Sequence, residues 1–176
     1  MKPLIETPPR TIMEVYKMLP EGTLAEVIDN QIYMSPSPAF DHQDILIEVA
    51  AQLRSKLKNE AKVSVAPFDV YLDESRNAVQ PDIVIILNSN KGILNRKGHF
   101  HGVPDIVVEI LSPGNRDYDL IRKKELYQKF GISEYWIIDP DTKLAMTFIF
   151  ENNQYELKGQ EIGRVTSNLL KSTFTF

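Results

Sequence analysis

The sequence predicts an α+β fold in which a mixed central β-sheet is flanked by helices. Strand-like segments fall in clusters around two or three helical segments, which is typical of this class. Apolar residues make up 43% and charged residues 25% of the chain, close to the averages of globular domains. A length of 176 residues suits one sizeable core. We therefore expect residues 1–176 to form a single domain, with its core at about 24–140 and C-terminal strands within 143–176.

The N-terminal third is predicted to contain two helices with a hairpin between them. Thr11 and Glu14 have the spacing of a capping box and begin a helix that ends near Pro20. Two apolar segments flank Asp29-Asn30, a pair typical of a tight hairpin turn. After a loop, apolar residues at helical spacing predict the longest helix of the chain, at 42–58.

The remaining chain is predicted to supply most of the sheet. Strand-like segments follow one another at 62–66, 68–72, 79–87 and 105–111. Residues 88–104, between the last two of these, are predicted to be a loop. A second helix at about 117–130 ends at Gly131, and further strands are expected at 134–139, 143–150 and 154–158.

The composition of the chain bears on the cellular compartment in which the protein is expected. The chain has no cysteine, which removes disulfides and thiolate metal sites and is compatible with a reducing cytosol. Its longest aliphatic run, Ile83 to Leu87, is far shorter than the roughly 20 residues of a membrane span. The first ten residues lack the apolar core of a signal peptide. We therefore expect a cytoplasmic protein without a membrane segment.

Charge is distributed unevenly along the chain. The formal net charge of -4 argues against tight, sequence-independent binding of nucleic acid. The predicted loop 88–104 is different, because it carries Lys91, Arg96 and Lys97 and no acidic residue. These three cations are the candidate contacts for a nucleic-acid backbone.

Two acidic residues lie within strands that are otherwise apolar. Asp82 begins PDIVIIL, and Glu109 interrupts DIVVEIL. A carboxylate in a buried strand costs several kcal/mol unless it is paired, hydrogen-bonded or bound to a cation. Either acid alone would fit a strand end or a solvated face. Together they suggest a shared divalent metal ion, because hard cations such as Mg²⁺ prefer carboxylate oxygens.

A lysine lies on the apolar face of the predicted helix 117–130. At 100° per residue, an apolar arc is defined by Leu120, Leu126, Tyr127 and Phe130. Lys123 falls near the middle of that arc, whereas Lys124 falls toward its edge. Such a lysine either pairs with buried acids or extends to the surface. Paired with Asp82 and Glu109, it would suit phosphodiester hydrolysis by supplying fixed positive charge to the transition state.

Other polar residues have a functional and a structural interpretation. His42 lies on the apolar side of helix 42–58 and either faces the metal site or is a capping or core histidine. Tyr127 lies one turn beyond Lys123 and either orients it or packs in the core. Asp69 is expected at an edge or solvated position. His99 and His101 could bind metal, contact phosphate or be inert on the surface.

Four segments of the chain carry a family resemblance. They are LAEVIDNQIYMSPSPAFDH (24–42), VQPDIVIIL (79–87), GVPDIVVEILSPGNRDYDL (102–120) and KKELYQKFGISEYWIIDP (123–140). In these segments the chain resembles the Uma-type family of restriction-endonuclease-like bacterial proteins, a branch of the PD-(D/E)xK nuclease superfamily. The resemblance implies a restriction-endonuclease-like core. It also implies Asp82 and Glu109 as ligands of Mg²⁺ or Mn²⁺, and nucleic acid as the substrate, with DNA favoured over RNA.

One position departs from the superfamily pattern. The motif places a lysine two residues after Glu109, where this chain has Leu111. The family resembled shares that change and has its lysine on the following helix, at Lys123 here. Two functions therefore stay open: a metal-dependent endonuclease, or a catalytically inactive nucleic-acid-binding or assembly module on the same fold. A homodimer formed through the C-terminal strands is a further expectation.

Overall fold

The computed structural model describes residues 8–95, 98–112 and 118–176. In chain order its elements are α1 (Ile12–Lys17), β1 (Ala25–Ile28), β2 (Gln31–Met34), α2 (Phe40–Lys56), β3 (Ala61–Val65), β4 (Val70–Tyr71), β5 (Ala78–Val79), β6 (Ile83–Leu87), β7 (Ile93–Leu94), β8 (Phe100–His101), β9 (Ile106–Ile110), a π-helical segment (Tyr118–Lys123) that continues into α3 (Lys124–Phe130), β10 (Glu134–Ile138), β11 (Leu144–Glu151), β12 (Gln154–Ile162), β13 (Arg164–Ser167) and β14 (Ser172–Thr175). The predicted α+β class is confirmed.

The predicted N-terminal elements form, with two local differences. Thr11 Oγ1 accepts a hydrogen bond from the Glu14 amide at 3.1 Å, which caps α1. The Glu14 carboxylate accepts from the Arg10 amide at 2.6 Å, so the return bond of the capping box comes from one residue earlier than expected. The longest helix, α2, begins at Phe40 and ends at Lys56, two residues earlier at each end than predicted.

The turn between β1 and β2 is built as its sequence predicts. Asp29 and Asn30 have φ values of 47° and 67°. Two successive positive φ values are the requirement of a two-residue hairpin turn whose twist matches its strands. The Asp29 amide also donates to Asn77 Oδ1 at 2.9 Å, which fixes the hairpin to the chain that precedes β5.

A six-stranded mixed sheet forms the centre of the molecule. Its order is β12-β11-β10-β9-β6-β3, in which β9 and β10 are parallel and the other neighbours are antiparallel. Alternate residues of its strands face opposite sides, as the pleat requires. One face packs on the apolar side of α2 and on the β13–β14 hairpin, whereas the other packs on α3 and on a second sheet. Glu109 lies on the second face, between Val107 and Leu111.

The second sheet shows that two predicted elements were wrong. Its order is β2-β1-β5-β4-β8-β7. The segment 79–87 is not one strand, because β5 belongs to this sheet and β6 to the central one. Pro81 lies between β5 and β6. Proline has no backbone N–H to donate to a neighbouring strand, so it interrupts the pairing at this point. The segment 88–104 is not wholly a loop, because it contributes β7 and β8, the latter parallel to β4.

The C-terminal region continues the central sheet. β11 and β12 pair with each other along their length, and β11 pairs with β10. β12 extends to Ile162, beyond the predicted end at 158, and the β13–β14 hairpin was not predicted. Across the described residues, 8–95, 98–112 and 118–176, no helix is long and apolar enough to cross a membrane.

Candidate active site

The two strands that carry the predicted acids are neighbours. β6 pairs antiparallel with β9, with Ile83 opposite Val108. Continuing this register by one residue puts Asp82, the residue before β6, opposite Glu109. The Ile110 amide donates to Asp82 Oδ2 at 2.7 Å, which ties the aspartate directly to the strand of Glu109. The Glu109 side chain is 3% exposed and that of Asp82 is 18% exposed.

Lys123 extends into this acidic region. Its Nζ lies 2.9 Å from Glu109 Oε1 and 3.0 Å from Glu26 Oε1, and all three side chains are buried. Lys124 lies elsewhere, with its Nζ 4.2 Å from the centre of the Phe148 ring. The ammonium closest to the acids is therefore that of the lysine in the middle of the apolar arc.

Tyr127 contacts the same glutamate from the next helical turn. Its hydroxyl donates to Glu109 Oε1 at 2.6 Å. Burial of the ring, together with the negative charges of Glu109 and Glu26, raises the pKa of Tyr127 well above its ordinary value. The phenol thus remains a proton donor at neutral pH. Glu109 Oε1 is held by two donors from two successive turns.

Glu26 is the functional candidate that the sequence reasoning missed. It lies in β1, whose four residues are all buried, and it also accepts a hydrogen bond from the Gln80 amide at 2.8 Å. An acid inside an apolar strand was the signal that selected Asp82 and Glu109. The segment LAEVID offers the same signal.

His42 lies in the first turns of α2 and faces Asp82. Its Nε2 is 3.1 Å from Asp82 Oδ2, and the side chain is 7% exposed. The N-cap residue of α2 is Ala39, three residues before His42. His42 is thus both buried and in contact with Asp82, and a role at the metal site stays a prediction.

These groups face one open cavity of about 650 Å³. Its lining includes five of the ionisable residues described above, which are Glu26, His42, Asp82, Glu109 and Lys123. The segment 35–39, between β2 and α2, forms part of the wall. A ligand in this cavity would therefore meet two carboxylates from neighbouring strands and a buried ammonium together.

The donor set fits a small hard cation. Within the described part of the chain, no three or more His, Asp or Glu side chains are grouped so that they could hold a metal ion by themselves. Mg²⁺ commonly binds through one or two carboxylates and completes its shell with water and substrate phosphates. Asp82 and Glu109, which line the same cavity, match that requirement.

The residues predicted to contact a nucleic-acid backbone are only partly described. Lys91 is exposed just before β7, whereas Arg96 and Lys97 lie outside the described residues. His99 Nδ1 lies 2.9 Å from Asp69 Oδ2, and His101 Nδ1 contacts Glu74. These histidines therefore lie beside carboxylates and line a second cavity.

Asp69 lies just before β4 and is partly exposed. It was expected at an edge or solvated position, and its side chain is 19% exposed and lines the second cavity. Its Oδ1 accepts from the Tyr16 hydroxyl at 2.7 Å and from Gln80 Nε2 at 2.8 Å. Partners from α1 and from the β5–β6 junction could not be foreseen from the neighbouring sequence.

The chain is similar to known proteins both in sequence and in fold. The model of the Uma2 family, described as "Putative restriction endonuclease", matches residues 13–173. The crystal structure of a "putative nuclease belonging to DUF820" from Anabaena variabilis is similar with a TM-score of 0.73, over 93% of this chain and 92% of that one, at 21% sequence identity. At that identity the likeness concerns the fold. No curated protein matches the chain.

Proposed function

The chain belongs to the Uma2 family of restriction-endonuclease-like proteins, and from that premise we propose that it is a metal-dependent nuclease that hydrolyses phosphodiester bonds. The observation that carries the proposal is the position of Lys123, whose buried ammonium contacts Glu109 beside Asp82 in an open cavity. A structural salt bridge would not require a second acid on the neighbouring strand or an opening to solvent.

Asp82 and Glu109 would hold Mg²⁺ or Mn²⁺, and Lys123 would act on the phosphoryl group. When bound, the ion supplies Lewis-acid polarisation of the phosphoryl oxygen and lowers the pKa of a water molecule. The Lys123 ammonium supplies a fixed positive charge where negative charge develops in the transition state. Burial strengthens that interaction, because the effective dielectric constant is lower than in water.

Four residues would position the reacting groups. His42 and the Ile110 amide fix Asp82 through its Oδ2. Tyr127 fixes Glu109 by donating to Oε1. Glu26 contacts the Lys123 ammonium together with Glu109, and this second contact restricts the rotamers of Lys123. Such restraint is the usual condition for precise transition-state contacts.

Finer features belong to the same proposal. The substrate would be nucleic acid, DNA ahead of RNA, with its backbone contacted by Lys91, Arg96 and Lys97. Residues 1–176 would act as one domain in the cytoplasm. A homodimer could form through β12, the edge strand of the central sheet, because a duplex has two strands to cut. A monomeric mass in light scattering at micromolar concentration would contradict the homodimer.

The second candidate is a module that binds nucleic acid without cleaving it. Leu111 occupies the usual position of the motif lysine, and the Lys123 ammonium is shared by two carboxylates. Both features would suit a site that has lost catalysis. Retention of Asp82 beside this buried trio favours the enzyme, since a module gains little from a third carboxylate there.

A cleavage assay separates the two candidates. Single-stranded, duplex and structured DNA and RNA are incubated with Mg²⁺, Mn²⁺ or EDTA. Asp82→Asn is compared with Asp44→Asn, a matched change at an exposed position of α2. We expect metal-dependent cleavage by the wild type and Asp44→Asn, and none by Asp82→Asn. Cleavage that persists in EDTA and in Asp82→Asn would contradict the proposal, and binding without cleavage would favour the module.

A further inference from the structure

A second cavity of about 810 Å³ adjoins the candidate active site. Gly22, Pro67 and Gln80 line both cavities. Its remaining wall comes from α1 and the segment 19–23 after it, from the segment 67–71 and from the region around β8. Five ring side chains contribute to this wall, namely Tyr16, Phe68, Tyr71, His99 and His101. The proposed mechanism uses none of them.

Two of these rings already form a stack. The Tyr71 and His101 rings are parallel within 8°, with their centroids 4.7 Å apart. Tyr71 is buried, whereas the His101 side chain is 28% exposed. A stack that ends in a partly exposed ring at a cavity wall can be extended by another flat ring. Nucleobases are such rings, and unpaired bases commonly stack on aromatic and histidine side chains.

Hydrogen bonds connect this wall to the candidate active site. Gln80 donates through Nε2 to Asp69 Oδ1 at 2.8 Å and through its backbone amide to Glu26 Oε1 at 2.8 Å. Glu26 in turn contacts Lys123. One residue therefore fixes the second cavity relative to the catalytic ammonium. A strand that placed its phosphate at Lys123 would have a neighbouring nucleotide beside this wall.

The charges of the second cavity disfavour a phosphate as its occupant. Glu21 and Asp69 are in its wall, and the Lys17 ammonium lies 3.3 Å from Glu74. A neutral base avoids repulsion by these carboxylates and can donate its N–H groups to them. A volume of about 810 Å³ is within the range of small-molecule sites.

We propose that the second cavity binds an unpaired nucleobase of the same strand whose phosphodiester lies at Asp82, Glu109 and Lys123. The base stacks on His101 and extends the His101–Tyr71 pair. This inference rests on the proposed function, because it assumes a nucleic-acid strand in the first cavity. It adds that the protein selects substrates with an unstacked nucleotide near the cut, such as single strands, bulges or ends.

The test measures binding without cleavage. The full chain in EDTA is titrated at fixed salt with single-stranded hexanucleotides, one series with every base present and others with one abasic position. We expect one abasic position to weaken binding about tenfold, in the range of single base–aromatic stacks. His101→Ala should remove that difference, and His101→Phe should keep it because a ring remains. Phe40→Ala, an exposed ring that lines neither cavity, should behave as wild type.

The outcomes separate this inference from the proposed function. Equal affinity for all the hexanucleotides, or no binding, would overturn the base site even if metal-dependent cleavage is found. Loss of discrimination in His101→Phe as well as His101→Ala would also overturn it, since histidine would then act by hydrogen bonding. A base-dependent affinity in a protein that never cleaves would support the base site and overturn only the nuclease.

Discussion

Three buried ionisable side chains meet at the centre of the candidate site, two of them acidic and one basic. The Lys123 ammonium lies between the carboxylates of Glu26 and Glu109, and all three side chains are at most 7% exposed. Desolvation of such groups costs several kcal/mol, which pairing offsets only in part. Asp82 adds another carboxylate at the open side of the group. A divalent cation in the cavity would therefore meet the carboxylate oxygens that such ions prefer.

Adjacent lysines provide the first test at the residue scale. Lys123→Met should reduce cleavage by about 100-fold or more, because a preorganised charge at the phosphoryl group is lost. Lys124→Met should change the rate by less than about twofold, since its Nζ lies over the Phe148 ring. Initial rates on one fluorescent oligonucleotide at saturating Mn²⁺ compare the two. Equal losses in both variants would contradict the assignment of Lys123.

A combination of two substitutions tests what Glu26 does. Lys123→Met alone leaves two buried carboxylates without their ammonium and should cost about 3–5 kcal/mol in the free energy of unfolding. Adding Glu26→Gln removes one of those charges and should recover part of that loss, as measured by urea denaturation. Cleavage should stay absent in the double variant. Additive changes in unfolding free energy would show that Glu26 and Lys123 are not coupled.

The positions of Glu109 and Lys123 could be predicted because each is a charged residue in an apolar pattern of its own element. Glu26 satisfies the same criterion, but its strand was interpreted only as half of a local hairpin. Its burial comes from packing between β1, β5 and α1, which lie together only in the folded chain. The contacts of Asp69 with Tyr16 and Gln80 could not be predicted for the same reason. The roles of these residues in catalysis remain predictions.

At the element scale, the break at Pro81 is more informative than either strand it separates. The largely apolar segment 79–87 was predicted to be one strand, but within it the chain passes from the second sheet to the central one. Gln80 and Asp82, on either side of the proline, line the wall of the candidate site. Local propensity could not show this, because the two halves pair with strands far apart in sequence.

The end of α3 gives a test at this scale. Gly131 caps that helix with φ at 70°, and a Cβ there would lie 3.3 Å from the Phe150 ring. Gly131→Ala should lower the free energy of unfolding by about 1–2 kcal/mol for the backbone alone, and by more because of the contact. Gly163 has a similar φ of 68°, but a Cβ there would make only an ordinary van der Waals contact, at 3.6 Å from the Phe176 carbonyl oxygen. Gly163→Ala should therefore lower the free energy of unfolding by the backbone contribution alone. Urea denaturation that ranks them in the reverse order would contradict the role of Phe150.

At the scale of the whole molecule, the site exists because two sheets meet. Asp82 and Glu109 come from the edge of β6 and from β9 in the central sheet, whereas Glu26 comes from β1 in the second sheet. Sequence patterns predicted most helices and strands, since those depend on local periodicity. The pairing of strands depends on contacts between distant segments. The second cavity, which lies between such segments, was therefore not predicted.

Buried tyrosines make the stability of the whole molecule sensitive to alkaline pH. Burial raises the pKa of Tyr16, Tyr127 and Tyr155 above the ordinary value near 10. Above about pH 10 the unfolded chain releases these protons while the folded chain keeps them. Their contribution is therefore complete below about pH 10 and is lost as the pH rises further. The free energy of unfolding should fall by up to about 1.4 kcal/mol per pH unit for each such tyrosine.

Urea denaturation between pH 8 and 11.5 measures this decline, and tyrosinate absorbance reports ionisation in the folded state. Tyr155→Phe provides the control, because the Tyr155 hydroxyl donates to the Ile132 carbonyl at 2.9 Å and Tyr155 does not line the cavity of the candidate site. Because that variant lacks the hydrogen bond, its free energy of unfolding at pH 8 should be about 1 kcal/mol lower than that of the wild type. Above pH 10, however, its free energy of unfolding should fall less steeply than that of the wild type. A stability that is constant from pH 9.5 to 11.5 would show that these phenols ionise freely in the folded protein, and that the contact between Tyr127 and Glu109 is not protected from solvent.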